Sequence, residues 1–183
     1  ILTLWIAINI LIISYVFFQS NYQQLAVTFG GWCNKKNVAD SLQRMHQNNR
    51  ARTHGFVIMP NHIHLLWSPV SKFHEEDNER TLLSFTGHAF KKHLQIEHPE
   101  MLNQYVSTQK DREFHFWERR SRTIEVMSRR IAEQKLDYIH FNPISGRWRL
   151  ASSPEGYFYS SASYYILNKT SFSFITHYMD YIW

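Results

Sequence analysis

Cysteine is almost missing from this chain: its 183 residues carry one, Cys33. A lone thiol excludes an internal disulfide and any zinc cluster built on cysteines, and it fits a reducing cytoplasm. Internal repeats and low-complexity linkers are missing too, so a single domain over 1–183 is expected. Acidic charge is in deficit, with 15 Asp and Glu against 20 Lys and Arg, a net charge of +5. The excess is concentrated, because Lys110 to Arg149 holds ten basic and six acidic residues, +4 of the total. That balance favours a polyanionic partner, nucleic acid or a membrane surface, without choosing between them. Hydrophobic residues, by contrast, are plentiful at 44%, with 16% aromatic, which suits a packed core rather than disorder.

Charge is wholly absent from Ile1 to Phe18, ILTLWIAINILIISYVFF. Eighteen uncharged residues reach the lower limit for a bilayer-spanning helix. No Lys or Arg flanks them, however, and neither a basic start nor a small-residue cleavage site marks a signal peptide. Core strand, membrane segment and damaged reading frame stay open for this stretch, and 1–31 is set apart as atypical.

Further along, Gln24 to Phe29 alternates weakly and reads as a strand closing at Gly30-Gly31. Asn37 to Gln47 has helical spacing, with Val38, Leu42 and Met45 in one stripe and Asn37 as N-cap. Asn48 to Thr53 reads as a turn, and Gly55 to Trp67 as strand interrupted or bent at Pro60-Asn61. A charged loop, His74 to Glu79, leads into a helix to about His98 with Leu82, Phe85, Ala89 and Ile96 on one side and Asn78 as cap. A second helix is predicted over Arg122–His140, with Ile124, Met127, Ile131 and Leu136 or Ile139 inward and Pro143 ending it.

Two places carry chemistry. In GFVIMPNHIHLLW, strand alternation sends His62 and His64 to one face, with Ile63 on the other. Two imidazoles one pleat repeat apart can chelate a divalent metal. An isolated His-x-His is nevertheless more often a pair of satisfied core or surface histidines. Metallohydrolase and histidine-triad patterns fit poorly, since Leu65 and Leu66 stand where those need acidic or further histidine ligands. In LDYIHFNP, Tyr138 and Asn142 are four apart and share a helix face if the last turn persists. A tyrosine hydroxyl can serve as a nucleophile, and an amide oxygen suits Mg²⁺ or Mn²⁺. A core-capping Tyr and a helix-ending Asn would look the same.

Together, FVIMPNHIHLLW, DYIHFNP and the downstream YFYSSASYY resemble the REP-associated tyrosine transposases, of the HUH superfamily named for its His-hydrophobic-His motif. FWERRSR and SFTGHAFKKHL resemble that family's lead into its nucleophile helix and its preceding helix, so the likeness runs from about Val38 to the C-terminus. It implies an α+β, ferredoxin-like fold with an antiparallel sheet of four or five strands and helices mainly on one face. It implies Tyr138 as nucleophile, and His62, His64 and Asn142 as ligands of a divalent Mg²⁺ or Mn²⁺. The implied reaction is metal-dependent cleavage and rejoining of hairpin-forming single-stranded DNA through a 5′-phosphotyrosine, leaving a free 3′-hydroxyl. Arg119, Arg120, Arg122, Arg129 and Arg130, with Lys91 and Lys92, then become candidates to hold phosphates, and Trp148 to stack on unpaired bases. Trp117 is weighed for the same stacking but reads first as core. The family includes monomers and dimers, and no motif decides. Ile1 to Gly31 departs from the family's opening strand, which keeps a catalytically inactive nucleic-acid-binding remnant, and a membrane-tethered protein, as the rival readings.

Overall fold

The computed structural model describes residues 15–21, 31–70, 75–108, 110, 112–117, 121–146 and 148–180. A hairpin organises them. Ala51–Ile58 and His62–Pro69 are two antiparallel strands, β2 and β3, so of the two expectations at Pro60-Asn61 the chain is interrupted rather than bent. The turn follows from Pro60, whose fixed φ suits the second position of a tight turn, and Met59 N–H donates to His62 O at 2.8 Å across it. Their neighbours are β1, Tyr15–Asn21, and β4, Arg122–Val126. All pair antiparallel in the order β2-β3-β1-β4, which makes the architecture the expected α+β type.

The apolar N-terminal stretch thus reaches the sheet: Tyr15 to Phe18 open an interior strand, paired on both sides. Residues 1–14 and the strand expected at Gln24–Phe29 lie outside the described residues. Among those described, no helix is long and apolar enough to cross a membrane.

The first helix, α1, is Gly31–Gln47. It begins six residues before the expected start, so Asn37 lies inside it, its carbonyl accepting from Ser41 Oγ at 2.7 Å, rather than capping it. The stripe Val38, Leu42, Met45 is buried as the spacing predicts. The second helix, α2, is Glu75–Glu97 and absorbs the expected loop. Its buried stripe is Asn78, Leu82, Thr86, Phe90 and Leu94, whereas Phe85 and Ile96 face outward. The shift has a polar cause. Thr86 Oγ1 donates to Leu82 O and accepts Trp117 Nε1–H at 2.8 Å, so a hydroxyl is satisfied inside the core and Trp117 is buried against it. Asn78, expected as a cap, instead donates from Nδ2 to Arg50 O at 3.2 Å and ties α2 to the start of β2. A short helix, α3, Pro99–Leu102, follows.

The next correction matters most for the site. Arg122–Val126 is strand β4, not the first turns of a helix, and the helix that carries Tyr138, α4, is Arg129–Phe141. Ser128 supplies its N-cap, accepting from Ile131 N–H. Ile124 and Met127, expected inward, are exposed, while Ala132, Leu136, Ile139 and His140 form the buried face of α4. That face lies on β2 at Gly55, the position where a side chain would collide with Leu136 Cδ2. Glycine there lets the helix approach the sheet closely.

The C-terminal third closes the outer edge of β2. Ile58 N–H donates to Tyr159 O, Ser161 N–H to Phe56 O, and Thr176 N–H to Thr53 O, removing most of an open edge. Tyr157 and Tyr159 are buried, and the end of YFYSSASYY turns into helix α5, Ala162–Leu167.

Candidate active site

Strand alternation sorts β3 into two faces. Ile63, Leu65 and Trp67 are buried on one, and Trp67 is among the largest fully buried side chains. His62, His64 and Leu66 share the other, on which α4 packs. His64 sits in the middle of the sheet, opposite Val57 of β2 and Gln19 of β1. It is 1% exposed. Burial, then the neighbouring His62 and the Lys135 ammonium, push its pKa down to about 3. Its ring is therefore neutral at physiological pH and keeps a lone pair. The His62 and His64 rings lie 4.8 Å apart, edge to face.

The last turns of α4 deliver the other groups. The helix persists through Phe141, and Asn142 keeps helical φ/ψ (−55°, −44°) as it opens a 3₁₀ turn to Ile144. Tyr138 and Asn142 therefore do share a face. His140, on the opposite face, anchors this turn: its Nε2 lies 2.9 Å from Ser161 Oγ, which in turn accepts Phe56 N–H. The result is convergence. Asn142 Nδ2 lies 3.2 Å from His64 Nε2, and the Tyr138 ring is 5.0 Å from the His64 ring. Tyr138 remains half exposed.

Two imidazoles and an amide oxygen at one point are a donor set able to hold a divalent cation, the imidazoles favouring borderline metals and the oxygen Mg²⁺ or Mn²⁺. Neutral His64 accepts at Nε2 from the Asn142 amide; a half-turn of that amide puts Oδ1 in the same place. Two ligands each about 2.1 Å from one ion, at right angles, stand about 3 Å apart, close to the observed separation. Among the described residues no three His, Cys, Asp or Glu side chains cluster as a metal site, so a third donor at this point would have to be the Asn142 amide. Asn61, which the sequence reading passed over, lies behind His62: its Oδ1 is 2.7 Å from His62 Nδ1. An amide oxygen at that distance favours the tautomer with its proton on Nδ1 and Nε2 unprotonated. Its only sequence signal was its place beside the motif.

The expected DNA-contact residues are more scattered. Arg122 is exposed on β4, and Arg129 and Arg130 are exposed in the first turn of α4. Arg129 Nε donates to Glu133 Oε1 at 2.8 Å. Lys92 is exposed on α2, while Lys91 pairs with Glu113 at 2.6 Å and lies over the Phe114 ring. Trp148 is half-buried against the core. Arg119 and Arg120 lie outside the described residues. Lys135, half-buried on the Tyr138 face of α4, was missed, although its spacing of three from Tyr138 was readable.

No protein-family model and no curated protein matches the chain. Solved structures do. One is a REP-associated tyrosine transposase bound to a REP hairpin, with TM-score 0.56 and 16% identity over 81% of this chain and 76% of that one. Another, from Deinococcus radiodurans and provisionally named a transposase, has TM-score 0.42 and 15% identity over 69% of this chain and 87% of its own. The first of these likenesses establishes that the chain shares the fold of a REP-associated tyrosine transposase.

Proposed function

We propose that this protein is a metal-dependent transposase or endonuclease of the tyrosine type, cleaving and rejoining single-stranded, hairpin-forming DNA. One observation carries the reading: groups from two distant segments, His62 and His64 on β3 and Tyr138 and Asn142 at the end of α4, meet at one point. Core histidines alone would not bring a half-exposed tyrosine to the same spot.

In this reading His62, His64 and Asn142 hold a Mg²⁺ or Mn²⁺ ion, which when bound supplies Lewis-acid polarisation of the scissile phosphate. Tyr138 Oη gives up its proton and attacks the phosphorus in line. The Oη–P bond forms as the P–O3′ bond breaks, and the departing 3′-oxygen takes up a proton. The products are a 5′-phosphotyrosine and a free 3′-hydroxyl. Attack by another 3′-hydroxyl reverses the step and releases Tyr138, so the bond energy is conserved without a nucleotide cofactor. Arg119, Arg120, Arg122, Arg129, Arg130, Lys91 and Lys92 contribute charge towards the DNA backbone, and Trp148 a ring towards its bases. The hairpin-bound relative of like fold supports DNA as the partner.

The test is a panel of hairpin-flanked single strands incubated with Mn²⁺ and the full chain. A covalent protein–DNA adduct is expected from the unaltered chain and none from Tyr138→Phe. Cleavage that survives the substitution rules out the tyrosine mechanism. Binding without cleavage by the unaltered chain identifies an inactive remnant instead.

A further inference from the structure

Resting on that reading, we infer that the exposed face of α4 is itself the bed of the single strand, with Lys135 holding a backbone phosphate at the site and Phe141 stacking on an adjacent base. Helical geometry gives the layout. At about 100° per residue, Lys135, Asn142, Tyr138 and Phe141 follow one another around the helix within about 120°. Tyr138 lies between, with Lys135 and Asn142 on one flank and Phe141 on the other.

Each flank brings chemistry fitted to one part of a nucleotide. On the inner flank, Lys135 is half-buried one helical turn before Tyr138. A lysine one turn away on the same face suits a backbone phosphate that lies beside Tyr138. On the outer flank, Phe141 exposes 52% of its surface one turn from Tyr138, itself 50% exposed. Single exposed apolar residues are ordinary. Two half-exposed rings a turn apart, beside a cation, form the aromatic-plus-basic surface on which unpaired strands lie.

The experiment uses the full chain with Tyr138→Phe, so that nothing is cleaved. Fluorescence anisotropy follows binding of a labelled random-sequence single strand of about 40 nucleotides, and of an abasic strand of equal length, across a salt series. Lys135→Gln is expected to make the plot of log affinity against log salt shallower by about 0.7 for both strands, with Lys135→Arg restoring it. Phe141→Ala is expected to weaken the base-bearing strand about tenfold and leave the abasic one unchanged, with Phe141→Trp restoring it. Normal binding with an unaltered slope in Lys135→Gln, or with equal effects of Phe141→Ala on the two strands, overturns the α4 path alone. A background chain that binds neither strand overturns the proposed function and the path together.

Discussion

Asn142 and His64, 78 residues apart in the chain, meet with Nδ2 3.2 Å from Nε2. The contact joins the end of α4 to the middle of the sheet, and the metal site proposed here depends on it. Asn142→Ala is expected to weaken Mn²⁺ binding by about tenfold or more, whereas Asn142→Asp, which keeps an oxygen and adds charge, should hold the ion at least as well. Calorimetric titration with Mn²⁺ checks both. Equal affinity in Asn142→Ala would remove this residue from the ligand set.

Asn61 supplies a second test of the same site. With its carbonyl 2.7 Å from His62 Nδ1, it orients the ring and would not itself be a ligand. Asn61→Ala should reduce Mn²⁺ affinity by about 10- to 100-fold while leaving the melting temperature nearly unchanged. Asn61→Asp, which retains the acceptor, should recover most of the loss.

Gly55 permits the close approach of α4. An added methyl would run into Leu136 Cδ2, and Leu136 is buried two residues before Tyr138. Gly55→Ala should therefore cost about 1–3 kcal/mol, read as a lower denaturant midpoint. Shortening the obstacle in the double variant Gly55→Ala, Leu136→Val should return part of that stability.

Acid should unfold the protein through its buried histidines. Burial holds His54 and His140 down at about 4, below the value of about 6.5 in an unfolded chain. Below that value the unfolded state takes up protons that the folded state refuses, so the stability these two contribute falls as pH drops from about 6.5 and is lost below about 4. Each histidine contributes on the order of 3 kcal/mol over the window. His54 also bridges Ser68 Oγ and Thr176 O. Replacing it with Gln should flatten the dependence of unfolding free energy on pH between those limits, as measured by urea titration.

Local periodicity was the legible part of this protein. Alternation in a strand puts His62 and His64 on one face, and helical spacing puts Tyr138 and Asn142 on another, whatever surrounds them. The stripe Val38, Leu42, Met45 was readable for the same reason. Arg122 to Val126 was not, because Ile124, Met127 and Ile131 mimic helical spacing; pairing with β1 makes the segment a strand, and Ser128 restarts the chain as a helix. Thr86 was passed over as polar, since its core position depends on a tryptophan 31 residues away. The sequence by itself thus determined which faces carry chemistry. Only the tertiary structure decided that those faces meet, because the approach of α4 to β3 rests on long-range contacts: the bare backbone at Gly55, the His140–Ser161 link and the close fit of Leu136.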